Sequence, residues 1–163
     1  ELSDICSPKL SSLLVSNANI TGDISALLNS KELATLECTS TKLSGNISVL
    51  SSLSKLKVLN VAYVEGIYGD ISVLSSVERL TSGLATQLSW KNTRASSLKI
   101  MALTNVNLGN DVDKMLINQA ECQVGTNKTI SVYGTKTTAS DAAVATLQQK
   151  GYTVSVTPIS AVV

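Results

Sequence analysis

A 23-residue echo constrains this chain more than any other feature. From Leu10, apolar residues and one glycine fall at Leu10, Leu13, Val15, Ile20, Gly22, Ile24 and Leu27. Twenty-three residues on, Leu33, Leu36, Cys38, Leu43, Gly45, Ile47 and Leu50 repeat the same types. Leu56, Leu59 and Val61 begin a third copy, which resumes after one inserted residue at Ile67, Gly69, Ile71 and Leu74. Leu98, Met101, Leu103, Leu108, Val112 and Met115 carry the template once more. Chance does not produce that agreement, so the chain is a repeat protein, one whose units cannot bury an apolar side alone and must stack.

Inside a unit, Leu13-x-Val15, Leu36-x-Cys38, Leu59-x-Val61 and Met101-x-Leu103 alternate. That predicts short parallel strands with these residues inward. Gly22, Gly45 and Gly69 mark a bend where a positive φ or a close approach excludes a side chain. Asp23, Asn46 and Asp70, which follow them, suit a turn by accepting from nearby amides. A calcium column through Asp23, Asp70 and Asp111 is the alternative, but Asn46 interrupts its charge.

The composition fits thin, regular layers. Aromatics make up 3% of the 163 residues, with no Phe, so aliphatic side chains must fill the core. With a net charge of +1 there is no basic surface for nucleic acid. No apolar run reaches the roughly 20 residues of a membrane span. Histidine is absent, which removes Ser-His-Asp and Cys-His machinery and the commonest metal ligand. Cys6, Cys38 and Cys122 are odd in number and widely spaced, arguing against a disulfide framework or a zinc site. The carboxylates form no convincing catalytic pair and no glycine run makes a phosphate loop. The chain is therefore expected to be no enzyme, with no cofactor and no metal.

The pattern L-x-x-L-x-L-x-x-x-x-I-x-G-D-I-S-x-L, over residues 10–115, resembles the leucine-rich repeat family. It is similar to the subclass L-x-x-L-x-L-x-x-N-x-L-x-G-x-I-P, found in plant receptors and in some bacterial surface and bacteriophage tail proteins. The resemblance implies an α/β-type solenoid with short parallel strands on a concave face. Two departures stand out. Ala18, Thr41, Val64 and Val106 replace the subclass's Asn, so no inner asparagine ladder can form, although Thr41 can still bond locally. Ser25, Ser48 and Ser72 stand where Pro is usual.

Between Leu80 and Leu98 the spacing fails. Leu88-x-Trp90 is expected to be a strand in inward register, with Gln87 outward, followed by a shortened return. Trp90 reads as core filler, with ligand stacking as the alternative. Helical spacing at Val112, Met115 and Leu116 predicts a helix capped by Asn110 or Asp111. "TISVYG" then reads as a strand with Ile130 and Val132 inward. "SDAAVATLQQKG" reads as an amphipathic helix with Ser140 as its N-cap and Gly151 past its end, and "YTVSV" as a last strand. Residues 1–125 form the expected solenoid and 126–163 a strand–helix–strand C-terminal cap. Residues 1–9 match the tail of a preceding unit, with Ile5 at the place of Leu28, implying a piece of a longer protein; a short segment folded over the first unit is the alternative.

Outward positions on the strands are polar, small and nearly uncharged, with Tyr63 and Tyr133 as their aromatics. Hydroxyls and amides around a few rings suit a carbohydrate or a neutral protein epitope. The expected site comprises Tyr63 and Tyr133 as anchors, with Glu37, Asn60, Lys91 and Asn92 orienting the ligand. The expected function is a binding or adhesion module at a cell surface, in the extracellular space or on a phage tail, without nucleic acid or membrane insertion. A structural spacer in a longer fibre is the alternative.

Overall fold

The computed structural model describes residues 1–83, 87–91, 102–121 and 129–159. A one-turn helix α1 (Leu2–Ile5) leads into strands β1 (Ser12–Leu14), β2 (Thr21–Asp23), β3 (Thr35–Glu37), β4 (Lys42–Asn46), β5 (Val58–Asn60) and β6 (Gly66–Asp70). Then come β7 (Arg79–Thr81), β8 (Gln87–Ser89), β9 (Ala102–Gly109), α2 (Val112–Glu121), β10 (Thr129–Gly134), α3 (Asp141–Gln149) and β11 (Thr153–Thr157). Two parallel sheets result. The first runs β1-β3-β5-β7-β9-β10-β11 and the second β2-β4-β6-β8. Short 3₁₀ helices at Ile24–Asn29, Ile47–Ser52 and Ile71–Val73 follow the strands of the second sheet.

The echo in the sequence is the strand register. Ser12 pairs with Thr35, Thr35 with Val58, Val58 with Arg79 and Arg79 with Ala102, offsets of 23, 23, 21 and 23 residues. One buried column, Leu13, Leu36, Leu59, Leu80 and Leu103, therefore crosses the first sheet and continues into Ile130. A second interior column, Ile24, Ile47 and Ile71, is formed by the first residue of each 3₁₀ helix. Truncating one such leucine to alanine costs about 2–5 kcal/mol, because rigid neighbours cannot close the void.

The stretch around Leu80 differs from the expectation. The first sheet is continued by β7, and β8 joins the second sheet through Gly69–Leu88 pairing. Leu88-x-Trp90 is thus not an inward pair of the first sheet, and Gln87 does not belong to its outward row. Trp90 is fully buried, following Ser89 as Ile71 follows the paired Asp70. Leu103, not Met101, stands beside Leu80; Met101 lies outside the described residues. The step from β5 to β7 is two residues short, and buried Ser82 holds the place of Val15, Cys38 and Val61. A serine there is tolerable because its Oγ donates to the Asn105 carbonyl at 3.3 Å.

The corner glycines answer to two constraints at once. Gly45 sits at φ +120°, and a Cβ placed on it would lie 2.7 Å from Asp23 Oδ2 of the preceding unit. Asp23 is held there because its carboxylate accepts from the Ser25 amide at 2.8 Å, capping the following 3₁₀ helix. Asn46 repeats the arrangement toward Ser48 and over Gly69, and Asp70 caps through the Ser72 amide. At the subclass's asparagine position, the buried Thr41 donates Oγ1 to the Cys38 carbonyl at 2.8 Å.

At the C-terminal end, the strand, helix and strand expected over 126–163 are β10, α3 and β11, and they extend the first sheet in parallel. Helices α2 and α3 pack together. Between them Asp113 accepts from Ser140 Oγ at 2.5 Å and from the Thr137 amide at 3.0 Å. Ser140 therefore heads α3 without capping it. Gly151 takes φ +86° just past the helix, and the Tyr152 amide returns to the Leu147 carbonyl. At the other end, Leu2 of α1 is fully buried against the first 3₁₀ helix and β2.

Candidate functional site

Alternation along the first sheet sends every second side chain away from the core. Two rows result: Ser12, Thr35, Val58, Arg79, Thr129 and Thr153, then Leu14, Glu37, Asn60, Thr81, Thr104, Ser131 and Ser155. Glu37 and Asn60 are direct partners on β3 and β5, so their half-buried side chains stand side by side. Asn60 Oδ1 accepts from the Ala62 amide at 3.1 Å, which holds this side chain against the start of the turn.

The backbone ladder outlasts the strands. The Asn17 amide donates to the Thr39 carbonyl at 2.8 Å and the Ser40 amide to the Ala62 carbonyl at 2.9 Å. The chain then turns through a left-handed residue at the same place in three units: Asn17, Ser40 and Tyr63 have φ between 55° and 57°; Asn105 takes φ 56° inside β9, at the irregularity in its pairing with β10. Asn tolerates this conformation because its short amide bonds locally. A tyrosine has no such compensation. Tyr63 is also 72% exposed, so its ring recovers almost nothing by burial. Folding does not explain its presence.

Two residues beyond each left-handed corner stand Asn19, Lys42 and Glu65, again 23 residues apart. Together with Asn17, Ser40, Ser44 and Tyr63 they line a groove of about 570 Å³, crossing three units where the first sheet turns toward the second. Neither Lys42 nor Glu65 takes part in an ion pair among the described residues. The groove carries one charge of each sign, a ring, and a set of amides and hydroxyls.

The structure thus groups Glu37, Asn60 and Tyr63 within two neighbouring strands and one turn. Tyr133 faces outward near the same rim, but on β10, three strands from β5, or about 14 Å by ordinary strand spacing. Lys91 is not with them. It follows β8 in the second sheet, where its amide donates to Asp70 Oδ1 at 3.2 Å. Asn92 lies outside the described residues. Lys42, Glu65 and Asn19 escaped sequence reasoning because one position carries three chemistries; only their 23-residue spacing marks them as a column.

Elsewhere the polar chemistry is tied to structure. Burial pushes the Cys38 thiol up to about 12, so it does not ionise at neutral pH. Burial pushes the Asp113 carboxyl up, but the bonds from Ser140 and Thr137 pull it down further, and the net shift is downward. Asp111 is likewise lowered on balance, its partial burial outweighed by the Trp90 amide and by Lys114. Among the described residues, no three or more His, Cys, Asp or Glu side chains gather where they could hold a metal ion. No helix among them is long and apolar enough to cross a membrane. Comparison with protein-family models, with curated proteins and with solved structures returned no match.

Proposed function

We propose that the chain is a non-enzymatic binding module, built as a leucine-rich repeat solenoid closed by its C-terminal strand–helix–strand. It recognises a protein or carbohydrate partner through the outward face of the first sheet, the concave face in that architecture. By the resemblance of its repeats, its setting is a bacterial surface protein or a phage tail appendage. The observation that carries this reading is Tyr63, an aromatic ring at 72% exposure on a backbone that disfavours it, beside Glu37 and Asn60. Residues kept against folding preference belong to function more often than to stability. Aromatic anchors also dominate recognition energetics, giving large contact area at low entropic cost.

The test is titration of a captured partner against surface variants of the 163-residue domain. Tyr63→Ala and Asn60→Ala should each weaken binding about tenfold or more. Asp23→Ala and Asp70→Ala, at the opposite corner, should leave affinity unchanged. Loss of binding with the corner variants alone would move the site to the other sheet. A domain that captures neither protein nor glycan would be a spacer in a longer fibre.

A further inference from the structure

We infer that the groove at the turn rim, between Asn17 and Tyr63, seats a neutral saccharide stacked on the Tyr63 ring; this rests on the binding reading above and names its ligand class. Three features of the groove converge on that chemistry. A pyranose presents an apolar C–H face and a girdle of hydroxyls, and the groove offers the complement: one exposed ring, and a line of amides and hydroxyls. The side chains of Asn17, Asn19 and Ser40 take no hydrogen bond from the described residues, so they are available to hydroxyls that both donate and accept. Lys42 and Glu65 cancel in charge and are both exposed, which rejects a phosphate or a polyacid while letting each bond a hydroxyl.

The dimensions agree. At about 570 Å³ the groove lies in the range of small-ligand sites, roughly 300–1,000 Å³. From the Asn17 turn to the Tyr63 turn are two inter-strand steps, about 10 Å. Each unit contributes the same two positions, the left-handed corner and the residue two beyond it. A linked chain of sugar rings running across the units meets one such pair per step. An extended peptide would instead seek the unpaired backbone of a sheet edge, and this groove is lined by turns between strands already paired on both sides at β3.

The experiment uses an array of neutral oligosaccharides (glucans, mannans, galactans, N-acetylglucosamine oligomers) beside sialylated and sulfated ones, then calorimetric titration of the tightest hit. Tyr63→Asn is the decisive variant. Asn already occupies this backbone conformation at Asn17 and Asn105, so the ring is removed without harming the fold. The expected result is a neutral hit, weakened about tenfold or more by Tyr63→Asn with no fall in melting temperature. Asn19→Ala and Glu65→Gln should each weaken it several-fold, again with no fall in melting temperature. A neutral hit that depends on Glu37 and Asn60 but not on Asn19 and Glu65 would place the sugar on the strand face, overturning the groove while the binding reading stands. Binding confined to acidic glycans would overturn the neutral class. If no glycan binds, the saccharide proposal fails; the binding reading then survives only if a protein partner is captured and is lost on Tyr63→Asn or Asn60→Ala.

Discussion

Replacing Gly45 by alanine probes both constraints on the corner, and a double-mutant cycle with Asp23 separates them. At φ +120° any L side chain is strained, on the order of 1–3 kcal/mol. The new Cβ also lies 2.7 Å from Asp23 Oδ2 and 2.8 Å from Oδ1, closer than real Cβ atoms approach anything. The carboxylate must swing away and give up its 2.8 Å bond from the Ser25 amide, a cap worth about 1 kcal/mol. Gly45→Ala should therefore cost about 2–4 kcal/mol in all. Asp23→Ala alone should cost about 1 kcal/mol, the cap. In the double variant the cap is lost only once and nothing remains to collide with. It should be no less stable than Gly45→Ala, a favourable coupling of about 1 kcal/mol. Urea unfolding followed by the fluorescence of the single, fully buried Trp90 measures all four proteins. Strict additivity would mean that the carboxylate does not rest over Gly45. An unaffected Gly45→Ala would refute the strain argument as well.

Two further outcomes are expected. Because the Asp113 carboxyl titrates lower folded than unfolded, its stabilisation is complete above about pH 4 and disappears as pH falls through the folded value. The stability gap between wild type and Asp113→Asn should hold from pH 7 to 5 and close at lower pH, and a gap constant down to pH 2.5 would count against the Asp113 bonds to Ser140 and Thr137. Cys38, with its thiol raised to about 12 and no exposed surface, should resist a thiol reagent at pH 8 until urea unfolds the chain, while the partly exposed Cys6 reacts first; mass mapping of the labelled peptides reads the order.

What was legible in the sequence was whatever the stacking makes repetitive. The leucine column, the positive-φ glycines, the inward Ile130 and Val132 and the left-handed Gly151 each have one allowed residue type, so position implied structure. Strand β7 was not legible. The step to it from β5 is two residues short, Glu78 precedes it and Arg79 begins it, and Ser82 stands where the template has a hydrophobe, so the L-x-L signal disappears while the hydrogen-bonded register persists. Losing β7 then pushed the next strand to Met101 and drew Lys91 onto the wrong sheet. In the candidate site, Tyr63 was visible as an outward aromatic, but its left-handed backbone was not, because that conformation is set by the turn shared with Asn17 and Ser40. Lys42 and Glu65 reached the groove unseen, since outward residues need not repeat.

The interlock between each capping side chain and the glycine one unit later gives the chain a grammar for growth. A copied segment such as 31–53 carries its own Gly45 to sit above Asp23 and its own Asn46 to cover the next glycine, so gene duplication could lengthen the protein here without inventing a single contact. Beyond Asp70 the offer is not taken up: Leu88 pairs with Gly69 as Leu43 pairs with Gly22 and Ile67 with Gly45, but two residues further on, where the next glycine belongs, stands the buried Trp90, and the second sheet ends at β8. Trp90 acts as a stop codon written in packing.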